Sequence, residues 1–226
     1  PFPSTMTAAI NLSGQDVRIL ISDEEAKANV NFLHYEKPNS LERFVKKATP
    51  SRSVAAIQLR PFAVKTKQPP RENDDGDDED GPQDDDLPQA FGAWSQVFRL
   101  SAINGGVDAV PMLTTKLTCW GPGRLNIARA DRETAIQFCG EFGSRTGARN
   151  ILEAWWEDPR LSLPNLIKSR GNLADDEVAV LQQVLVKKSS TYSVTVGCQS
   201  QYSTSRRFAV LFTDEDGALS TVEFVY

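Results

Sequence analysis

The spacing of apolar residues predicts an early strand and a short amphipathic helix in the first part of the chain. Residues 17–21 (VRILI) form a short β-branched apolar run, which is typical of a strand. Ser40 precedes apolar residues at helical spacing, namely Leu41, Phe44, Val45 and Ala48. Residues 53–59 predict a second strand, which ends before Pro61.

Helical periodicity dominates the stretch that follows residue 130. Four short helices are predicted: one capped by Asp131, one capped by Ser144, one over 164–169, and one that starts near Asp175. Apolar residues that recur at helical spacing usually pack into a protein core and do not usually line a cofactor pocket. We therefore assign Trp155 and Trp156 to the core as well.

The hydrophobic period then changes from 3.6 to 2. Alternating runs at 192–198, 208–212 and 222–226 predict a three-stranded antiparallel meander. Asp216 and Gly217 form the predicted hairpin turn between the last two strands. Because helices precede a sheet, the sequence predicts an α+β fold.

One acidic segment dominates the charge of the chain. Residues 72–86 contain ten acidic residues and no basic residue, and the remaining sequence has 25 basic against 20 acidic residues. We expect residues 65–90 to form a disordered acidic loop, because like charges repel and little apolar surface can be buried. The loop does not match the EF-hand calcium pattern in any register. The mildly basic remainder lacks the dense basic face of a nucleic-acid-binding protein.

The residues that usually carry catalysis are sparse. The chain has one histidine, His34, and three cysteines without metal-ligand spacing. The cysteines are either buried thiols or include one bridged pair, for which Cys119 and Cys139 are the best candidates. The chain contains no nucleophile or phosphate-loop motif, so the sequence does not predict an enzyme.

Two polar segments allow a functional and a structural interpretation. Residues 23–31 begin with adjacent acids that a hydrolase could use, but the favoured interpretation is a solvated turn with an Asp23–Lys27 ion pair. Residues 119–128 contain Gly121 and Gly123, which allow a tight turn, and Asn126, which can bond back to the backbone. The alternative is a helix-hairpin-helix module that binds nucleic acid, with Arg124 as a phosphate contact.

These two segments resemble the signatures of a known family in both residues and order. Asp23, Glu24, Lys27, Asn29 and Asn31 fit the first signature, and Gly121, Gly123, Leu125, Asn126, Ile127 and Ala130 fit the second. A Ser-x-Tyr-x-Val strand entry follows at 190–194. The chain therefore resembles the K-type minor pseudopilins of type II secretion systems, over residues 15–35 and 90–226.

The resemblance implies a pilin-like antiparallel sheet with short-helix segments of the SAM-like or helix-hairpin-helix-like kind and a reduced helical insert. Residues 1–35 would start the pilin-like domain, 36–118 would form the insert with the acidic loop, and 119–226 would supply the helical segment and the final meander. Some family members bind calcium, but no calcium ligands map onto this sequence.

The resemblance also implies a non-catalytic role at the tip of a periplasmic pseudopilus. The expected partners are other minor pseudopilins and secreted cargo, and nucleic acid is not expected. The family is held at the periplasmic side of the inner membrane by a hydrophobic N-terminal helix, which this sequence does not include.

Overall fold

The computed structural model describes residues 4–63, 88–103, 110–170, 173–199, 204–213 and 218–225. Most of the predicted acidic loop lies outside these residues, as do Asp216 and Gly217 of the predicted turn. The last two residues of the expected loop, Gln89–Ala90, form a short strand that pairs with Phe62–Ala63.

The first half of the chain contains a hairpin, two helices and several short elements. In chain order these are β1 (Thr5–Leu12), β2 (Gln15–Asp23), β3 (Ala28–Asn29), α1 (Val30–Glu36), α2 (Pro38–Ala48), β4 (Phe62–Ala63), β5 (Gln89–Ala90), α3 (Trp94–Val97), α4 (Val110–Leu113), β6 (Leu117–Thr118) and β7 (Leu125–Asn126). Short 3₁₀ helices lie at Glu24–Ala26, Ser51–Ala56 and Leu100–Ala102.

The second half contains the predicted helices and then the predicted strands. Its elements are α5 (Arg132–Gly140), α6 (Arg145–Glu157), α7 (Leu163–Arg170), α8 (Asp175–Val184), β8 (Leu185–Val186), β9 (Thr191–Gln199), β10 (Thr204–Thr213) and β11 (Leu219–Val225). The Asp131 side chain accepts a hydrogen bond from the Thr134 N–H, and Ser144 accepts one from the Gly147 N–H. Both predicted helix caps are therefore confirmed.

A five-stranded antiparallel sheet joins the two ends of the chain. Its strand order is β1-β2-β9-β10-β11, so the predicted meander is confirmed and the N-terminal hairpin extends it. The central pairing joins β2 to β9, with Asp16 opposite Gln199 and Asp23 opposite Tyr192. The α+β prediction is confirmed. The sheet supports the part of the chain that contains helices α1 to α8, which we call the helical body.

The sheet has two different faces. Directly paired residues share a face, and Met6 pairs with Ile21, which pairs with Val194, which pairs with Ala209. We call this side the outer face; its aliphatic residues include Met6, Ala8, Ile10, Leu12, Val17, Ile19, Ile21, Val194, Val196, Ala209, Leu211 and Leu219. The opposite side, the inner face, includes Leu20, Ser193, Thr195, Phe208 and Val210 and is directed toward the helical body.

The core of the helical body is aromatic at its centre. Phe138 and Phe142 of α5 and the loop after it pack on Phe32 of α1, and Phe44 of α2 meets Phe138 edge-on. Trp155 is buried, as predicted, whereas Trp156 is half-buried. The indole N–H of Trp156 donates to the Ile127 carbonyl across 3.0 Å.

The predicted strand over residues 53–59 is wrong. Ser51–Ala56 forms a 3₁₀ helix, and Ile57 then makes a single antiparallel bridge with Phe98. The apolar run in this segment does not alternate and contains two alanines, which are depleted in strands. Local bonds such as Ser53 N–H to the Pro50 carbonyl therefore replace a ladder. In the described parts of the chain, no helix has the length and apolar character needed to span a membrane.

Candidate functional site

The first signature is buried where strand β2 ends. Asp23, Glu24 and Glu25 are 2%, 1% and 1% exposed. The Asp23 carboxylate caps the following 3₁₀ turn by accepting from the backbone N–H groups of Glu25 and Ala26, at 3.1 and 3.2 Å. The predicted solvated turn is therefore wrong, because distant parts of the chain cover this segment and supply its polar partners.

The predicted ion pair between Asp23 and Lys27 is also replaced by other pairs. Lys27 donates to Glu24 Oε1 at 2.8 Å, whereas Asp23 Oδ2 accepts from Arg129 at 3.2 Å and from the Ser189 hydroxyl at 2.8 Å. Burial raises the pKa of Asp23, and the Ser189 and Arg129 contacts oppose this rise without cancelling it.

Glu25 binds the entry to strand β9. Its Oε1 atom accepts from the Ser190 N–H, the Ser190 hydroxyl and the Thr191 hydroxyl, at 3.0, 2.8 and 3.0 Å. Arg124 of the second signature approaches the same oxygen at 3.3 Å. Glu24 contacts β9 two residues beyond Thr191, where its Oε1 accepts from the Ser193 hydroxyl at 2.5 Å.

The two asparagines connect the first signature to the second. Asn29 caps α1 at the Phe32 N–H and donates to the carbonyls of Trp120 and Gly121, at 2.9 and 3.2 Å. Asn31 donates to the carbonyls of Cys119 and Phe91, at 2.7 and 2.9 Å, and accepts from the Phe91 N–H. Each side-chain amide therefore makes hydrogen bonds to backbone groups that have no regular backbone partner in these irregular segments.

The glycines of the second signature have the left-handed backbone that the sequence predicted for a tight turn. Gly121 and Gly123 have φ angles of +93° and +82°. A Cβ atom at Gly123 would lie 2.6 Å from Phe32 Cδ2, so the close approach of α1 also requires glycine. Asn126 accepts from the Ala128 N–H at 3.0 Å and donates to the Ser189 hydroxyl at 2.7 Å.

All nine residues singled out from the sequence meet in one region, which we call the polar junction: Asp23, Glu24, Lys27, Asn29, Asn31, Gly121, Gly123, Arg124 and Asn126. Sequence reasoning missed Glu25, Arg129 and Ser189 as members. Three carboxylates face three cations, namely Lys27, Arg124 and Arg129, so the charges balance.

The polar atoms of the junction hold chain segments together. Their partners are backbone groups, hydroxyls and side chains of opposite charge from four separate segments, as is typical of a structural joint. Among the described residues, no group of three or more His, Cys, Asp or Glu side chains is arranged to hold a metal ion.

All three cysteines are free thiols in the structure. Cys119 and Cys139 are buried, and Cys198 is half-buried on the outer face. Burial raises the pKa of Cys139 to about 12 and that of Cys119 well above its usual value. Of the two interpretations left open by the sequence, the structure favours buried, unreactive thiols over a Cys119–Cys139 bridge.

Comparison with known proteins gives a structural match. No protein-family model and no curated protein matches the chain. The fold is similar to that of a chain in the crystal structure of the GspK–GspI–GspJ complex from the type II secretion system of enterotoxigenic Escherichia coli. The TM-score is 0.51 at 13% sequence identity, over 98% of this chain and 83% of that one.

This similarity defines the class of fold. The protein has an α+β fold of the pseudopilin-like kind, in which an antiparallel sheet carries a body of short helices. The matching chain belongs to a complex of a type II secretion system.

Proposed function

We propose that this protein is a non-catalytic minor pseudopilin-like subunit of a type II secretion system or a related pilus-like assembly. Three features support a K-type role: the pseudopilin-like fold, the two signature segments, and the contacts that bring those segments together. The proposed location is the periplasmic side of the inner membrane, and the proposed partners are other minor pseudopilins.

The observation that carries the proposal is the apolar outer face of the sheet. Met6, Ile10, Leu12 and Ile21 are 59%, 44%, 55% and 39% exposed, and the strand pairing places them on the same face of the hairpin. Soluble monomers rarely expose contiguous apolar patches larger than a few hundred Å², and larger ones mark interaction sites. We assign the outer face to contact with the apolar surface of a partner pseudopilin.

The domain division remains part of this proposal. Strand β2 ends at Asp23 and pairs with β9, which supports a pilin-like domain built from residues 1–35 and from the end of 119–226. The segment 36–118 would then be the reduced helical insert.

No observation favours the nucleic-acid alternative. Arg124, the candidate phosphate contact, is paired with Glu25 and donates to the Ser190 hydroxyl. The glycine turn packs against Phe32 and the Thr191 side chain. Both Arg124 and the glycine turn therefore make contacts within the fold.

Co-expression with the other minor pseudopilins of the same organism tests the proposed function. We expect a heteromeric complex in size-exclusion chromatography with light scattering. Ile10→Asp on the outer face should weaken its assembly by about tenfold or more, because a buried charge costs more than one hydrogen bond. Tyr35→Asp is the matched control, since Tyr35 is 83% exposed on α1 and lies off the sheet.

The variants must fold before they can be compared, and circular dichroism checks this. The proposal is overturned if no complex forms with the unmodified protein. The assignment of the outer face alone is overturned if Ile10→Asp and Tyr35→Asp assemble equally well.

A further inference from the structure

A cleft lies between the inner face of the sheet and the part of the helical body that contains α3 and α4. Its volume is about 440 Å³, within the range typical of small-molecule sites. The large apolar side chains of its lining come from both sides of the gap: Leu20, Trp94, Leu100, Val110, Trp120 and Phe208. Trp94 and Trp120 meet edge-to-face, and Phe208 packs against Trp120. The cleft can therefore hold the apolar part of a ligand between aromatic rings.

A buried ion pair in the lining has unused hydrogen-bonding capacity of both kinds. Lys27 Nζ donates to Glu24 Oε1 at 2.8 Å, and both residues line the cleft. An ammonium has three N–H donors, and this is the one hydrogen bond of the Lys27 side chain within the described parts of the chain. Glu24 Oε1 also accepts from the Ser193 hydroxyl, whereas Glu24 Oε2 is buried and has no hydrogen-bond partner among the described residues. The pair therefore offers both N–H donors and a carboxylate acceptor to a ligand.

The ion pair makes this part of the lining neutral. Arg206 also lines the cleft, but it has an interaction of its own. A ligand carboxylate could accept from Lys27, but it would bring a like charge beside Glu24 and could not donate to Oε2. A ligand ammonium could donate to Glu24, but it would bring a like charge beside Lys27. An uncharged group that both donates and accepts avoids both repulsions and leaves neither buried group unpaired.

We propose that this cleft binds a small uncharged ligand that has an apolar body and a carboxamide group. The apolar body lies between Trp94, Trp120 and Phe208. The carboxamide oxygen accepts from Lys27, and the carboxamide N–H donates to Glu24 Oε2, so one group satisfies both members of the ion pair. The inference rests on the cleft and its ion pair and is independent of the pseudopilin-like role.

Titration with 3-phenylpropanamide tests the proposal, followed by calorimetry and by the fluorescence of Trp94 and Trp120 in the cleft. Methyl 3-phenylpropanoate has nearly the same shape but no donor, and 3-phenylpropanoate is the charged comparison. The amide should bind saturably and about tenfold or more tighter than either comparison, because a site with buried hydrogen-bonding groups rejects an analogue that leaves them unpaired. Absence of saturable amide binding, or an amide affinity no higher than that of the ester or the carboxylate, overturns the proposal.

The variant Glu24→Gln tests the role of the buried oxygen. It replaces the carboxylate by a neutral amide that can present an N–H in place of Oε2, and it removes the negative charge beside Lys27. The order of affinities should therefore change, so that 3-phenylpropanoate binds more tightly than 3-phenylpropanamide. A preference for the amide that persists in the folded variant overturns the proposal.

Ser95→Phe locates the binding site. Ser95 is an exposed position of the lining, so a bulky side chain there should narrow the cleft and lower the amide affinity by about tenfold or more. Ser95→Ala is the matched control and should leave the affinity unchanged. Ile10→Ser changes the exposed outer face, where apolar ligands could adsorb, and should also leave it unchanged.

Circular dichroism checks that each variant is folded. Unchanged amide affinity in Ser95→Phe overturns the proposal, and a loss in Ile10→Ser would then assign the ligand to the outer face. If Glu24→Gln does not fold, the comparison of the three ligands on the unmodified protein and the effect of Ser95→Phe decide the result.

Discussion

Glu25 and Ser190 lie 165 positions apart, yet both the N–H and the hydroxyl of Ser190 donate to the same oxygen of Glu25, at 3.0 and 2.8 Å. Through this contact the end of β2 holds the start of β9, and Arg124 adds a third chain segment to the same carboxylate. The buried Glu25 side chain therefore helps to fix both the register of β2 against β9 and the position of the glycine turn.

Replacing Glu25 tests this dependence. Glu25→Ala should lower the free energy of unfolding by about 3–5 kcal/mol, because it leaves buried donors and the Arg124 charge without their acceptor. Glu25→Gln keeps one acceptor oxygen and should be less destabilising. Urea denaturation of the two variants and the unmodified protein measures the difference. A loss below about 1 kcal/mol for Glu25→Ala would show that the junction tolerates the unpaired groups.

The turn at Gly123 allows the cost of a side-chain clash to be separated from the cost of a left-handed backbone conformation. Gly123→Ala should destabilise the protein by more than the 1–2 kcal/mol typical of a left-handed non-glycine residue, since the new Cβ would lie 2.6 Å from Phe32. Gly14→Ala is the matched control, because Gly14 has a similar φ of +80° but nothing within 4 Å of its Cβ position. Equal losses in thermal unfolding would contradict the close approach of Phe32.

The elements that the sequence predicted are those whose signals are local. Strands β9 to β11 alternate with period two, and the caps of α5 and α6 stand directly before their apolar stripes. Strand β1 lacks such a signal because Ala8, Ala9 and Asn11 have low strand propensity. Its pairing with β2 decides its conformation.

The polar junction could be predicted only in part. The resemblance to pseudopilin signatures drew attention to Asp23 and Gly123, but no local pattern relates Asp23 to Arg129, which lies 106 positions away. Burial of three adjacent acids also contradicts the usual solvation of charge runs. It becomes favourable only when three cations and several hydroxyls from elsewhere in the chain converge on them.

The pKa of His34, the single histidine of the chain, reports how strongly its ring in α1 is buried. Burial lowers the pKa of His34 below its usual value of 6.5, and its ring packs edge-on against Phe91. The unfolded chain therefore binds a proton more readily than the folded protein, so His34 should reduce stability as pH falls through 6.5 toward the folded pKa. An NMR titration of the one imidazole signal measures this pKa, and His34→Gln should remove the contribution. A titration midpoint at or above 6.5 would contradict the expected effect of burial.

The cap of α5 should also lose its contribution to stability as pH falls, but in a lower pH range than His34. Burial alone would raise the pKa of Asp131, but hydrogen bonds from the Thr134 N–H and hydroxyl, together with Lys116, lower it below 3.8. The contribution of this cap is therefore complete above the unfolded pKa and is lost as pH falls through the lowered folded pKa. Asp131→Ala should cost about 1 kcal/mol at pH 7, as is typical for loss of an N-cap.

Asp131→Asn is the matched control, since it keeps an acceptor oxygen but does not titrate. Urea denaturation between pH 2.5 and pH 7 should show a smaller acid-dependent loss in Asp131→Asn than in the unmodified protein, and identical profiles would contradict the lowered pKa.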